Sequence, residues 1–437
     1  MSRRVLFCWE IGEGSGHVVP YLSLLTVLRS RGWEVAVAAR NTAEIGRRVQ
    51  ACGATLLQAP VCLGIFPELD RQSFSTTESL LQCGYGYTPT LDGIFSAWRG
   101  MMETWRPDLV IGSAAPTAQL VAQALGIVDI AIGSGFNCPP ALSPAPMIRP
   151  WQAAMAERLA VSEDRALQTI NAVLSQHGFS NRKFPMDMYL NVPALLCTVA
   201  ALDHYGAHRG DSAARYLGML PPMKTVATDE PKSATKAITN AVANPAEIFV
   251  YLRYEPRVEP LLAALAKRGA STIVFMPNLT QAQYAKLTAL YPPTITVVMH
   301  AVDIDAVLRG AKLVISNAGH NITLQTLLAG CPLLLLPTHW EQHTVAQLAA
   351  KTGAAINISV HEHNPKFKRF LDELLDNSVY KTAAVTFAAR HAGMTAEMAL
   401  QQAIVECERL ANLNVAKLPA RQLPQAPQVS QIKYAQT

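Results

Sequence analysis

Three groups of residues have the types and spacing to do chemistry. The first is Gly12-Glu13-Gly14-Ser15-Gly16-His17, followed by Pro20. Glycines let the backbone approach a ligand closely, and an imidazole with an ordinary pKa of about 6.5 takes a proton at neutral pH. The second is Asn321 with Thr323, just behind Gly319. Free N–H groups at a helix start, with two polar side chains beside them, make a seat for phosphate. The third is Glu341-Gln342. An acid next to an amide offers acceptors and donors suited to sugar hydroxyls. A plainer reading stands beside each. The glycine loop can be a helix cap with a solvated histidine, and the other two can be well-capped crossover units with Glu341 as a favourable N-terminal charge.

The elements that must position these groups alternate between strand and helix. Apolar runs at 4–9 and 33–39 flank the glycine loop and a helical pattern at 18–28, a strand–helix–strand unit. Strand patterns at 107–111 and 128–132 enclose a helix at 116–125. The pattern restarts with strands at 248–252, 272–276, 295–299, 313–316 and 332–336, and helices at 260–267, 280–290, 303–309, 321–329 and 343–352. Such alternation predicts α/β domains built on parallel sheets, with ligands at the C-terminal strand edges, where His17 lies. The expected division is a first domain at 1–220, a linker at 221–245, a second domain at 246–400, and a helix end with a flexible tail at 401–437. Residues 62–100 break the rhythm. Phe66, Phe74, Tyr85, Tyr87, Phe95 and Trp98 stand there among glycines, prolines and serines, and 136–147 holds four prolines. Both stretches read as binding loops or as ordinary surface loops.

Composition narrows the function classes. Of 437 residues, 50% are hydrophobic and 16% charged, which supports two or three packed domains and excludes a largely disordered chain. The net charge of +5, from 37 basic and 32 acidic residues, comes without the dense basic stripe of a nucleic-acid binder. No apolar run reaches the roughly 18 residues that span a bilayer, so the chain reads as cytoplasmic. The eight cysteines are scattered without a CxxC pair, which suits reduced, structural thiols. His339-Trp-Glu-Gln-His343 puts two histidines one turn apart, but its glutamate comes one place too late for a zinc helix. His361-Glu-His363 reads as an exposed loop, and no metal is expected. Asn321-Ile-Thr323 is a glycosylation sequon that a cytosolic chain does not use. A dinucleotide reading fits poorly, because the third glycine of the loop comes one residue early. The second strand ends at Arg40-Asn41, where the arginine could favour a 2′-phosphate and keeps NADP as a rival.

The string Asn317-Ala-Gly-His-Asn-Ile-Thr-Leu-Gln325, then Gly330-Cys-Pro332, then Pro337-Thr-His-Trp-Glu-Gln342, resembles the donor signature of family 1 glycosyltransferases, the UDP-glycosyltransferase-like group. Gly16-His17-x-x-Pro20 and Trp105-Arg-Pro-Asp-Leu-Val-Ile are similar to that group's N-terminal half, and the likeness covers about residues 4 to 400. The resemblance implies a GT-B fold, two Rossmann-like domains facing across a cleft. It implies that His17 deprotonates an acceptor hydroxyl for inverting attack on a nucleotide sugar, UDP- or dTDP-linked, with no metal and no other cofactor. The donor would be met by Gly16, Arg253, His300, Val302, Asn317, Gly319, His320, Asn321, Thr323, Gln325, Glu341 and Gln342. The aromatic loops would form a pocket for a small apolar or lipid acceptor, with a peripheral membrane contact allowed and no nucleic acid involved. The chain departs from the pattern at Asn317, Ala318, Ile322 and Gln325, where the group has histidine, glycine, serine and glutamate. Arg253 stands near its absent Gly-Ser. Gly112-Ser113 stands where an aspartate often orients the histidine, leaving Glu10 or Glu13 as substitutes. These departures keep a second class open, a GT-B binding or accessory protein with impaired catalysis. A sugar-nucleotide epimerase of the same fold is a third.

Overall fold

The computed structural model describes residues 2–69, 72–149, 156–210, 214–223, 246–299, 302–359, 361–362 and 365–417. Most of the expected linker, residues 224–245, lies outside them, as do His300, His363 and the tail from 418.

Two parallel sheets form. The first holds β1 (Arg4–Trp9), β2 (Glu34–Ala39), β3 (Thr55–Gln58), β4 (Leu109–Gly112), β5 (Val128–Gly133), β6 (Ala194–Leu196) and β7 (Ala214–Tyr216), in the order β3-β2-β1-β4-β5-β6-β7. The second holds β8 (Ile248–Tyr251), β9 (Thr272–Phe275), β10 (Ile295–Val298), β11 (Leu313–Ser316), β12 (Leu333–Leu335) and β13 (Ala355–Asn357), in the order β10-β9-β8-β11-β12-β13. Helices cover both faces of each sheet, so the central strands β1, β4, β8 and β11 are almost wholly apolar rather than alternating. Each sheet starts in the middle, runs to one edge, and returns to the other side. The reversal falls between β1 and β4 in the first and between β8 and β11 in the second. Open α/β sheets bind ligands at that point.

Two expectations are corrected. Residues 62–100 are not mainly loop. Helices run over Thr76–Leu80 and Thr88–Trp105, and a π-helical turn over Leu81–Tyr85 joins them. In Thr88–Trp105 the residues Leu91, Ile94, Phe95, Trp98 and Met102 fall on one stripe and are buried. Tyr85, Phe95 and Trp98 therefore serve the core beneath the first sheet instead of an acceptor pocket. The domain boundary at 400 also moves. The helix Ala396–Lys417 returns to the first domain, where Ala399, Ala403, Ile404, Cys407 and Leu410 join the core of Leu22, Leu25, Trp33 and Val35.

Candidate active site

The two switch points can be laid on one another through their strand registers. Cys8 pairs with Gly112 across β1 and β4, and Tyr251 pairs with Ser316 across β8 and β11. Counting on from those pairs matches Ala114 with Ala318, Ala115 with Gly319, and Glu10 with Arg253. Both alanines are left-handed, at φ 48° and 60°, and both next residues cap a helix, Pro116–Ala124 and His320–Leu328. The contents of the two seats differ. In the first domain the Glu10 carboxylate fills the helix start. It accepts the Thr117 N–H at 3.0 Å, the Ala118 N–H at 3.3 Å and the Thr117 hydroxyl at 2.6 Å. In the second domain Arg253 stands at that place, and its guanidinium has no hydrogen bond or ion pair among the described residues. A cation cannot satisfy N–H donors. The second domain's helix start therefore has no carboxylate on its amides, which are free to take an anion.

His17 ends the short 3-10 turn Ser15–His17. Gly12, at φ +87°, makes its position possible, since a Cβ there would lie 2.5 Å from His17 Nε2. The loop is pinned by the Ser15 N–H, which donates to Glu44 Oε1 at 2.7 Å, while the Glu44 N–H is capped by the Asn41 side chain. The imidazole stacks on Trp9 with centroids 5.6 Å apart and 15° between planes. Burial, helped by the Arg40 charge, pushes its pKa down to about 4. Arg40 is itself held by the Glu10 carbonyl at 3.3 Å. His17 Nδ1 is buried without a hydrogen-bond partner. Neither acid considered as its orienting partner serves. Glu10 is spent on Thr117, and Glu13 stands exposed at the cleft rim beside His339.

His17 opens into a cleft of about 240 Å³ between the domains. Gly16, Tyr21, Ser134 and Asn137 line it on the first domain's side, and Tyr251, Gly319, His320, Asn321, Glu341 and Gln342 on the second's. Burial alone raises the Glu341 carboxyl to about 7, and no described group hydrogen-bonds to it. Gln342 Oε1 accepts both the N–H and the hydroxyl of Thr338 at 2.9 Å, which fixes the side chain and leaves its NH₂ as the donor.

Other expected donor residues lie elsewhere. Asn317 is a bolt, since its Oδ1 accepts the Arg253 N–H at 2.7 Å and its Nδ2 donates to the Leu336 carbonyl at 2.9 Å. It joins the ends of β8, β11 and β12 and keeps the seat in shape. Thr323 is fully buried with its hydroxyl unpartnered and does not line the cleft, whereas Ile322 does. Gln325 donates to Asp305 at 2.6 Å and faces a separate cavity of about 500 Å³. Val302 packs half-buried on the second domain's core. His320 Nε2 lies 3.3 Å from the Cys197 carbonyl of the first domain, and burial pushes its pKa down to about 4. Phe136 meets Trp340 edge-on at 4.6 Å, a second contact across the cleft. Among the described residues no group of three or more His, Cys, Asp or Glu is placed to hold a metal ion.

Sequence reasoning missed Tyr21, Ser134 and Asn137. The signal was positional. Ser134-Gly-Phe-Asn137 follows β5 at the same sheet edge where the His17 loop follows β1.

Two Rossmann-like parallel-sheet domains facing across a cleft define a class, the GT-B architecture. Residues 276–401 match the family described as Glycosyltransferase family 28 C-terminal domain. A relative from Lacticaseibacillus casei (strain BL23) is the UDP-N-acetylglucosamine--N-acetylmuramyl-(pentapeptide) pyrophosphoryl-undecaprenol N-acetylglucosamine transferase. It is 30% identical over 164 residues, 32% of this chain and 45% of that protein. The chain thus spans less than half the length of the curated relative it matches. Among solved structures, the glycosyltransferase VinC in complex with dTDP superposes with a TM-score of 0.66 at 18% identity, covering 94% of this chain and 100% of that one. CalG4, the calicheamicin glycosyltransferase, gives 0.67 at 16% identity, covering 94% and 98%.

Proposed function

We propose that the protein is an inverting glycosyltransferase that moves a hexose-type sugar from a UDP- or dTDP-sugar to a hydroxyl of a small-molecule or lipid acceptor. One observation carries this reading. The seat that Glu10 fills in the first domain is left open in the second, with Arg253 in place of the acid. The diphosphate sits on the amides of Gly319 to Asn321 with Arg253 beside it. Glu341 and the Gln342 NH₂ hold the sugar hydroxyls. His17 Nε2 takes the acceptor proton as the oxygen attacks the anomeric carbon. The bond from that carbon to the diphosphate breaks, and the electron pair leaves with the phosphate. Helix start and arginine steady the charge that develops there, with no metal required. The dTDP in VinC and the lipid-linked acceptor in the relative's name support a nucleotide diphosphate donor and allow a lipid acceptor. No described helix is long and apolar enough to cross a membrane.

Thermal unfolding with UDP, dTDP, GDP and NADP at equal excess tests the donor seat. A ligand at a hundredfold excess over Kd adds about 2.7 kcal/mol of stability. A shift with one nucleoside diphosphate is expected, and a shift with NADP alone would sink the reading. His17→Ala should abolish transfer and spare that shift. The unpartnered Nδ1 of His17 favours a second reading, a binding protein without catalysis. Diphosphate binding with no transfer, and no effect of His17→Ala, would select it.

A further inference from the structure

Of the aromatic residues expected to greet the acceptor, Tyr85, Phe95 and Trp98 are in the core, and Phe66, Phe74 and Tyr87 do not line the cleft, so its acceptor side is built from something else. Within the cleft the first domain offers His17, Tyr21 and the turn Ser134–Asn137. Ser134 occupies the cap position of the 3-10 turn Gly135–Asn137. A cap serine normally accepts a turn N–H with its hydroxyl. Here the Asn137 N–H goes to the Ser134 carbonyl at 3.1 Å, and the Ser134 hydroxyl makes no hydrogen bond. Ser134 lines the cleft and is only 6% exposed, with the hydroxyl itself buried just beneath the cleft surface. A buried hydroxyl without a partner is costly unless something supplies one. The Asn137 side chain lies on the same wall and has no hydrogen bond among the described residues. It folds back over the strand end because Gly133 has no side chain. A Cβ there would come within 2.7 Å of the Asn137 Cβ.

The turn is held from behind. Arg209 forms a buried ion pair with Asp203 and donates to the carbonyls of Gly135, at 3.1 Å, and Cys138, at 2.9 Å. A side chain on Gly135 would collide with Asp203. Phe136, between the two polar residues, is packed against Trp340 of the other domain. The two free polar groups are therefore presented rigidly, on the same wall as the base and opposite the donor seat. Nothing in the helix, sheet or core uses them.

Building on the transferase reading, we propose that Ser134 and Asn137 form the acceptor ledge. They hydrogen-bond a second polar group next to the attacking hydroxyl, so the reactive end of the acceptor is a sugar or polyol rather than an isolated phenol. An apolar tail on such an acceptor would lie outside this small cleft. Ser134 and Asn137 are specificity residues in this assignment. Proton transfer stays with His17.

The test uses the full chain, the glucose conjugate of the nucleoside diphosphate selected by thermal shift, and two acceptor sets: methyl and n-octyl glucosides against phenol and 4-methylumbelliferone. The glucosides are expected to be used with at least a tenfold higher kcat/KM. Ser134→Ala and Asn137→Ala should each raise the glucoside KM about tenfold and leave the donor KM and diphosphate affinity unchanged. Ser134→Thr, which keeps the hydroxyl, should restore most of the loss. The melting temperature supplies a readout that a structural role would move. Removing an unpartnered buried hydroxyl should leave it unchanged or raise it. Equal acceptor KM in both alanine variants, a rise in donor KM instead, or a preference for the phenols would each overturn the ledge while the transferase stands. Transfer to none of the four acceptors, with no donor binding, would overturn both.

Discussion

Gly319 separates what the fold needs from what a ligand needs. Its φ is −58°, open to any residue, and an added Cβ would meet only Ile322 Cγ2, at 3.6 Å. Neither backbone nor packing asks for glycine there, in contrast to Gly12 under His17. Gly319→Val should therefore leave the melting temperature within about 2 °C. Diphosphate affinity should fall tenfold or more in a calorimetric titration, because the side chain would stand where the ligand approaches the amides. Unchanged affinity would remove the diphosphate from this helix start. His17 and Glu341 yield a second prediction, since burial drives their pKa values apart, to about 4 and about 7. His17 is then a neutral base at any pH above about 4. Glu341 gains a proton as pH falls through 7 and loses the charge that strengthens its bonds to hydroxyls. Donor KM should rise as pH drops from 8 to 6, while kcat stays level until pH nears 4. Glu341→Gln should flatten the KM profile. A kcat that falls with the KM near pH 7 would show that the two roles are not divided this way.

At the scale of elements, the helix Pro116–Ala124 depends on Glu10 for its start. Glu10→Ala leaves two amides unmet in a buried site, while the Thr117 hydroxyl keeps Tyr85 at 2.8 Å, and should cost about 1–3 kcal/mol in denaturant unfolding. The carboxyl also leaves a signature in pH. Burial outweighs its hydrogen bonds and raises its pKa to about 7, against an ordinary 4.5. The folded state then holds a proton that the unfolded state has released. This contribution is fully present below about 4.5 and is lost as pH rises through 7. The Glu10 share of the stability should fall between pH 5 and 8, read as the pH-dependent difference in unfolding free energy between wild type and Glu10→Gln, since His17, His204 and His320 titrate with the opposite sign. An identical slope in the variant would assign the pH dependence to other groups. Much of this was legible in the sequence. Uninterrupted apolar runs give buried parallel strands, and glycines before a histidine give a loop at a strand end. The helix Thr88–Trp105 was hidden because Pro89, Gly93 and Gly100, all poor helix formers, stand on the face opposite its apolar stripe. The match of Glu10 with Arg253 is a matter of register, which residue types do not reveal. Asn317 and Gln325 sit at signature positions, but what they bond was decided by the Leu336 carbonyl and Asp305, groups brought in by folding. Ser134-Gly-Phe-Asn137 has the composition of any turn.

Across the whole molecule, the two domains are joined by the returning helix Ala396–Lys417, the Phe136–Trp340 contact, and a pair of histidines. His320 reaches the Cys197 carbonyl, and His204 packs beside Phe136 with centroids 5.4 Å apart. Burial is the main cause that pushes His204 down to about 3 and His320 to about 4, with their mutual proximity adding to the first. Asp203, Arg209 and the backbone of Glu341 also face His204, and the Asp203 charge is largely answered by its ion pair with Arg209. Separating the domains would expose both rings and return them towards about 6.5. Between about pH 4 and 6.5 the open form thus binds more protons than the closed one. By linkage, closure is favoured above 6.5 and weakens as pH falls. Small-angle scattering from pH 7.5 to 5 should show the radius of gyration rising while circular dichroism stays constant, which separates opening from unfolding. His204→Phe combined with His320→Gln keeps the packing and a donor for Cys197 but removes both protonation sites, and should abolish the rise. A wild-type radius that holds steady to pH 5 would mean that other contacts keep the cleft closed. A rise that persists in the double variant would assign the titration to another group at the seam whose pKa burial lowers, such as His339.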